Sequence, residues 1–301
     1  MKKLVLLLLL VACQFSPPTK MPEIPEINTG TSGLEVAFQT VPELLMCQEA
    51  DFVVKLRNAG SADAEGVYNF IIEEQKLKLV SPKKSELLLS GRSLINPVGD
   101  YDQIVLRVQS TALEEKIESY QTPVIFQACY DYETVASVPI CIDPDIRNVN
   151  KGKVCTAQPV ALSGGQGAPV AVTSVKVSMV PDGNQVQPQF TMRLQNLGSG
   201  NVVKTGVAAA ACSGAAGSFA NIVGIYAELQ GVKLHCMPSE IPLKPDAETE
   251  ISCISKRSYG LAEGTFSSIL TIKLNYGYIN TVNMPVTINR LPGQKDCKSE
   301  K

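Results

Sequence analysis

Tryptophan is absent from this chain, and histidine occurs once, as His235. Nucleophilic catalysis needs a base beside the nucleophile, and a lone histidine with no G-x-S-x-G elbow does not announce such a pair. Sugar stacking favours large rings, and only tyrosine and phenylalanine are present to supply them. No C-x-x-C pair occurs, and His235 beside Cys236 has no partner histidine at zinc-ligand spacing, which argues against a metal site. A basic excess is missing too. With Lys2 and Lys3 set aside, the 27 Lys and Arg become 25 against 29 Asp and Glu, a net charge of −4. Nucleic-acid phosphates would meet no basic stripe here. No apolar run reaches the roughly 20 residues of a spanning helix, and no stretch carries a sustained apolar stripe at helical spacing. Ala112–Tyr120 comes nearest, at one or two turns. These absences lead to the expectation of a chain that is not an enzyme and holds no cofactor.

What is present begins with an export signal. Lys2 and Lys3 precede the continuous apolar run Leu4–Val11, too short to span a bilayer. The run ends Leu10-Val11-Ala12-Cys13, which resembles the lipobox of prokaryotic lipoproteins. That resemblance implies a diacylglyceryl group on the Cys13 thiol and cleavage just before it; ordinary cleavage with Cys13 removed or left free is the alternative. Two acyl chains suffice for stable anchoring. Pro17, Pro18, Pro22 and Pro25 then make an extended tether. The expected organisation is signal peptide 1–12, tether 13–32, a first β-sandwich over 33–146, a linker 147–154, a second β-sandwich over 155–291, and a polar tail 292–301.

The remainder alternates with period two. Phe52–Asn58, Gln103–Val108 and Thr271–Tyr276 read as half-buried strands, with Gly, Pro and Asn at the turns between. The chain also repeats itself. Phe52–Ser61 aligns without gaps on Phe190–Ser199, including Asn58-x-Gly60 on Asn196-x-Gly198, at an offset of 138. Tyr130-x-Tyr132 followed by Val138-Pro139-Ile140 aligns on Tyr276-x-Tyr278 followed by Met284-Pro285-Val286, at an offset of 146. In the first landmark the glycine is expected to supply a positive φ after the strand. The second reads as a β-hairpin with its tip at Glu133–Ala136, or Ile279–Val282 in the other copy, and with Pro139 and Pro285 on an edge strand. The paired tyrosines are expected to pack on Val138 and Ile140, or on Met284 and Val286; an exposed aromatic ligand platform is the alternative.

Short strands with turn signals every 8–12 residues make an all-β chain of two tandem immunoglobulin-like sandwiches the expected fold. The N-x-G strand leading into Ala64–Val67 resembles the CARDB-type modules of prokaryotic surface proteins. The succession Cys129-Tyr130-Asp131-Tyr132, Cys155 and Ser163–Pro169 resembles a group of paired Ig-like secreted proteins of archaea. The resemblance covers most of residues 33–290 and implies architecture and location, with no activity.

Nine cysteines in an exported chain point to disulfides. Cys129 with Cys141 across the supposed hairpin, and Cys236 with Cys253 across the turn near Pro242–Asp246, are the geometric expectations. Cys155 with Cys212 follows as a further pair, and Cys47 with Cys297 remain. Asp143 and Asp145 in D-P-D offer a calcium site or a solvated linker. Asp246, Glu248 and Glu250 read as a charged strand edge, Ser163–Pro169 as an ordered lead-in to a strand at the junction, and Gly206–Ser218 as a loop or weak strand. The function expected is a membrane-anchored structural, adhesive or protein-interaction module with envelope proteins or surface glycans as partners. The alternative is a lipoprotein that captures carbohydrate or peptide for a transporter or enzyme.

Overall fold

The computed structural model describes residues 26–39, 43–80, 84–214, 219–294 and 296–297. The apolar leader, Cys13 and the prolines of the tether lie outside the described residues. Alternation builds the strands as the sequence implies. In Glu49–Asn58, Phe52, Val54 and Leu56 are buried while Lys55 and Arg57 face water, because successive side chains point to opposite faces.

The first half of the chain forms β1 (Leu34–Phe38), β2 (Leu44–Leu45), β3 (Glu49–Asn58), β4 (Ala64–Ile72), β5 (Leu77–Leu79), β6 (Lys84–Leu89), β7 (Tyr101–Ser110) and β8 (Ser119–Ile142). The second forms β9 (Val160–Ala161), β10 (Val170–Asp182), β11 (Gln185–Asn196), β12 (Asn201–Val203), the one-turn helix α1 (Ala208–Ala211), β13 (Ile222–Leu229) and β14 (Val232–Lys233). It closes with β15 (His235–Met237), β16 (Glu240–Pro242), β17 (Thr249–Ile254), β18 (Tyr259–Gly260) and β19 (Phe266–Asn289). One sheet has the order β1-β3-β7-β5 and another β15-β17-β11-β10-β9, with β18 on β11. A central sheet runs β14-β13-β19-β8-β4-β6, with β2 and β12 also on β19 and β16 on β13. The fold is all-β.

β8 and β19 decide the architecture. Each is 24 residues long, and they pair antiparallel from Phe266 opposite Ile142 to Asn289 opposite Ser119. The expected hairpins are corrected accordingly: Tyr130 to Ile140 is one straight strand, as is Tyr276 to Val286. Neither supposed tip contains glycine or proline, and in the first the buried even-numbered face continues through it as Thr134 and Ala136. Pro139 and Pro285 do lie where, among the described residues, their strands have a neighbour on one side only, because β4 stops opposite Asp131 and β2 covers only Ile288 and Asn289.

The register has a further consequence. Tyr130 lies opposite Tyr278, Tyr132 opposite Tyr276, and Asp131 opposite Gly277. The duplicated motif therefore pairs with its own copy about a local twofold axis. The N-terminal part of β8 and the C-terminal part of β19 join β4 beneath the sheet of β1, β3 and β7. The remaining parts join β13 beneath the sheet of β10 and β11. The two outer sheets follow sequence order, but the central sheet runs through both halves, so residues 33–146 and 155–291 do not fold as separate units there. One continuous apolar core results.

Four disulfides brace this body. Cys236 bonds Cys253 across the neighbouring strands, and Cys47 bonds Cys297, the two cysteines left over from the sequence. The other two correct the expected pairing: Cys129 bonds Cys212 and Cys141 bonds Cys155, instead of Cys129 with Cys141 and Cys155 with Cys212. Twelve residues of extended strand hold Cys129 and Cys141 about 40 Å apart, far beyond the Cα separation a disulfide allows. Both cysteines project from the outer face of β8 and meet whatever crosses that face. For Cys129 this is the excursion between β12 and β13, in which α1 packs with Cys212 over Val203 and Ile279. For Cys141 it is the loop after β8. Disulfides of this number form in an oxidising, extracellular setting.

Candidate functional site

The two sequence landmarks meet at the twofold axis. Tyr130, Tyr132, Tyr276 and Tyr278 form a closed ring of four aromatics, with centroid separations of 5.5, 6.0, 6.4 and 6.3 Å. None is more than 4% exposed. The expectation that they pack on Val138 and Ile140 is therefore corrected, and an exposed aromatic platform is excluded. They pack on one another, edge-on or tilted, as aromatic quadrupoles favour.

Each hydroxyl reaches from the central sheet to an outer strand. Tyr132 donates to Asn58 Oδ1 at 3.0 Å and Tyr278 to Asn196 Oδ1 at 3.2 Å. The two asparagines share two further bonds, Nδ2 donating to a carbonyl four residues on and Oδ1 accepting from the amide of Gly60 or Gly198, and Asn58 Nδ2 also donates to Leu89 O. Tyr130 accepts from Leu34 N at 3.1 Å, while Asn280 Nδ2 donates to Leu34 O at 2.6 Å. In the other copy Tyr276 accepts from Val170 N at 3.4 Å, and Thr134 Oγ1 donates to Val170 O at 2.6 Å. Burial pushes all four phenols above their ordinary value, so they remain protonated.

Gly60 and Gly198 are required for space. Neither has a positive φ, which corrects the expected turn role. A Cβ on Gly60 would overlap the Tyr132 hydroxyl and approach Gly167 O to 2.6 Å; one on Gly198 would overlap the Tyr278 hydroxyl. The segment Ser163–Pro169 lies at this junction. Gly167 and Gly164 exchange backbone bonds with Gly30, and Ser61 N donates to Gly167 O at 2.8 Å. Gln166, though buried, holds both backbone groups of Val172.

The copies diverge away from this centre. Asp131 accepts two bonds from Gly206 N and is pushed up by burial. Its counterpart Gly277 lies beneath Val203 and Ala208, where a Cβ would come within 2.7 and 3.0 Å. At the sheet margin, β9 covers the free edge of β10 at Ser174 and Val175. The corresponding edge of β1, at Ala37 and Phe38, has no strand on it among the described residues. Along the start of β1, before Ala37, opens a groove of about 270 Å³ lined by Thr31, Leu34, Val36, Ser199, Asn280 and Thr281.

Other sequence candidates resolve individually. Lys153 Nζ takes the place a cation would have in the D-P-D loop: it donates to Asp143 Oδ2 at 2.6 Å, Asp145 O at 2.9 Å and Asn148 Oδ1 at 2.6 Å. Asp145 accepts from Val149 N and Asn150 N, and these bonds hold its carboxyl below the usual range. The loop is thus neither a calcium site nor a solvated linker. His235 lies exposed on β15. Glu248 and Glu250 face Arg193 at 3.4 and 3.5 Å, while Asp246 belongs to the preceding turn. The pairing of Asn58 with Tyr132 was the connection sequence reasoning missed. Its signal was there: the N-x-G and Y-x-Y motifs recur together.

No family model and no curated protein matches the chain. Among solved structures, one similar chain is the secreted serine protease VesC from Vibrio cholerae, at 9% identity and a TM-score of 0.23. The match covers 84% of this chain and about half (51%) of that one. The expectation that this chain is not an enzyme is withdrawn on that finding. The similar chain is itself a protease, and a likeness so slight argues neither for an activity nor against one.

Proposed function

We propose that the chain is a surface lipoprotein, tethered through Cys13, that serves outside the membrane as a structural and protein-interaction module of the envelope. The observation that carries this reading is the edge of β1, which no strand covers among the described residues. An edge strand presents unpaired N–H and C=O groups that template another strand, and extended peptides bind sheets in this way. In the second copy β9 occupies that position; in the first the edge opens onto a groove. The straight β8–β19 pair supports a load-bearing role by giving both halves one shared sheet. The carbohydrate-capture alternative loses the platform expected of Tyr130, Tyr132, Tyr276 and Tyr278, since all four are buried.

A photo-crosslinking side chain placed at Ala37 in cells tests the reading. A discrete conjugate with one envelope protein is expected from position 37, and none from Ser174 beneath β9. Tight, saturable binding of one small glycan or peptide class on an array, with no conjugate from position 37, would replace the reading with substrate capture. Metabolic labelling with a fatty acid tests the anchor: label lost in Cys13→Ala supports it, and equal membrane association of both forms contradicts it.

A further inference from the structure

The loop between β6 and β7 exposes an unusual concentration of apolar surface. Ile95 is 97% exposed, Leu94 67%, Val98 60% and Tyr101, at the start of β7, 77%. The loop holds its shape by its own bonds. Ser93 N donates to Asn96 O, Asn96 N to Ser93 Oγ, and Gly99 N to Asn96 O. Asp100 N donates to Ser90 O, and the Asp100 carboxylate accepts from Ser90 N and Asn96 Nδ2. The side chains project from a built turn.

The fold does not demand this surface, because the second copy manages without it. Asp102 opposes Leu56 and Thr249 opposes Leu194, so the turn before β17 is the counterpart. That turn reads Leu243-Lys244-Pro245-Asp246-Ala247-Glu248, with Leu243 buried and charged residues outward. From Ser93 to Gly99 the first copy has no charged residue at all. Seating the segment Ser93–Gly99 in an apolar medium would strip water from no ion of its own; Tyr101, between Asp100 and Asp102, flanks it.

Position says what it would meet. Arg92, at the root of the loop, donates to Thr29 O, so the loop rises beside the point where the N-terminal segment joins the described residues. Residues 14–25 separate Cys13 from Glu26 and reach about 40 Å at most when extended. We infer that Leu94, Ile95, Val98 and Tyr101 form a lipid-contacting tip that seats this side of the molecule on the phospholipid bilayer to which Cys13 is anchored. The inference rests on the tethered-lipoprotein reading and adds an orientation to it. The apolar tip faces the membrane and the charged turn at Lys244 faces away.

The chain has no tryptophan, so Ile95→Trp creates a single indole reporter at an exposed position. The full chain carrying it is mixed with phosphatidylcholine–phosphatidylglycerol vesicles, plain or with brominated acyl chains. A blue shift and bromine quenching are expected at position 95, and neither from Lys244→Trp. With Cys13→Ala as background, Leu94→Asp plus Ile95→Asp should lower vesicle co-sedimentation by about tenfold or more, as two apolar side chains are lost from the contact. If the chain sediments with vesicles while the position-95 indole stays solvent-exposed and unquenched, this inference fails and the tether stands. If even the acylated chain does not associate, the tether reading fails and takes the inference with it. A blue shift without vesicles that grows with protein concentration would assign the tip to a second copy of the chain, overturning the lipid assignment.

Discussion

At the centre of the molecule the two copies repeat the same tyrosine bonds: Tyr132 with Asn58 and Tyr278 with Asn196, Tyr130 on Leu34 and Tyr276 on Val170. At the margins they differ. Among the described residues, one β-edge is covered by β9 and its counterpart is open, one turn is charged and its counterpart apolar, and one copy alone carries the α1 excursion. The difference separates two kinds of requirement. A self-complementary interface about a twofold axis constrains both partners at once, so a change in either copy disturbs the whole junction. Margins touch only their own half and are free to specialise. The proposed contacts, the β1 edge and the Leu94–Val98 tip, both lie on the first copy.

The comparison can be broken most severely at the junction. Gly60→Ala drives a methyl group into the Tyr132 hydroxyl and the Gly167 carbonyl, and is expected to cost about 3 kcal/mol or more. Because the halves share β8 and β19, denaturant unfolding followed by probes in either half should show one coincident transition; a loss confined to the first half would contradict the shared sheet. Removing disulfides sharpens the contrast between long and short closures. Cys129→Ser with Cys212→Ser opens a link spanning 83 residues, and Cys141→Ser with Cys155→Ser one spanning 14. Each loss is expected at about 2–4 kcal/mol with the longer link costing more, measurable as a difference in chemical-denaturation midpoints.

Smaller effects test the symmetry itself. Tyr132→Phe and Tyr278→Phe should each cost about 1 kcal/mol and match one another, since each removes one donor to an equivalent asparagine. The buried phenols also set an alkaline limit. Their folded-state values are raised above the unfolded one, so their contribution is complete below about pH 10 and declines as pH climbs from there towards the folded value. Stability should fall above that point by about 1.4 kcal/mol per pH unit for each buried tyrosine, and both Phe variants should show a shallower fall. Least of all, Glu250→Gln at the exposed Arg193 pair should change stability by under about 0.5 kcal/mol, as befits a margin.

Much of this was legible in the residues. The period-two burial of Phe52, Val54 and Leu56 gave the strands, and the paired N-x-G and Y-x-Y motifs gave the duplication. What was hidden was connection. A motif that pairs with its own copy looks, in one dimension, like a hairpin pairing with itself, because both arrangements place tyrosines two apart beside alternating valines. Thr134, Ala136, Asn280 and Thr281 held the clue, since none of those tips contains the glycine or proline that a reversal needs. Once the strand is taken as straight, Cys129 and Cys141 must find other partners. Cys212 was the harder one to see, because Gly206–Ser218 has a composition that specifies little by itself. The exposure of Leu94 and Ile95 depends on which face their loop turns outward, and no local pattern encodes that.

Peptide mapping of the unreduced protein by mass spectrometry tests the through-running strands most directly. Peptides joining Cys129 to Cys212 and Cys141 to Cys155 are the expected result. A peptide joining Cys129 to Cys141 would require the chain to reverse between them, and would contradict the shared central sheet.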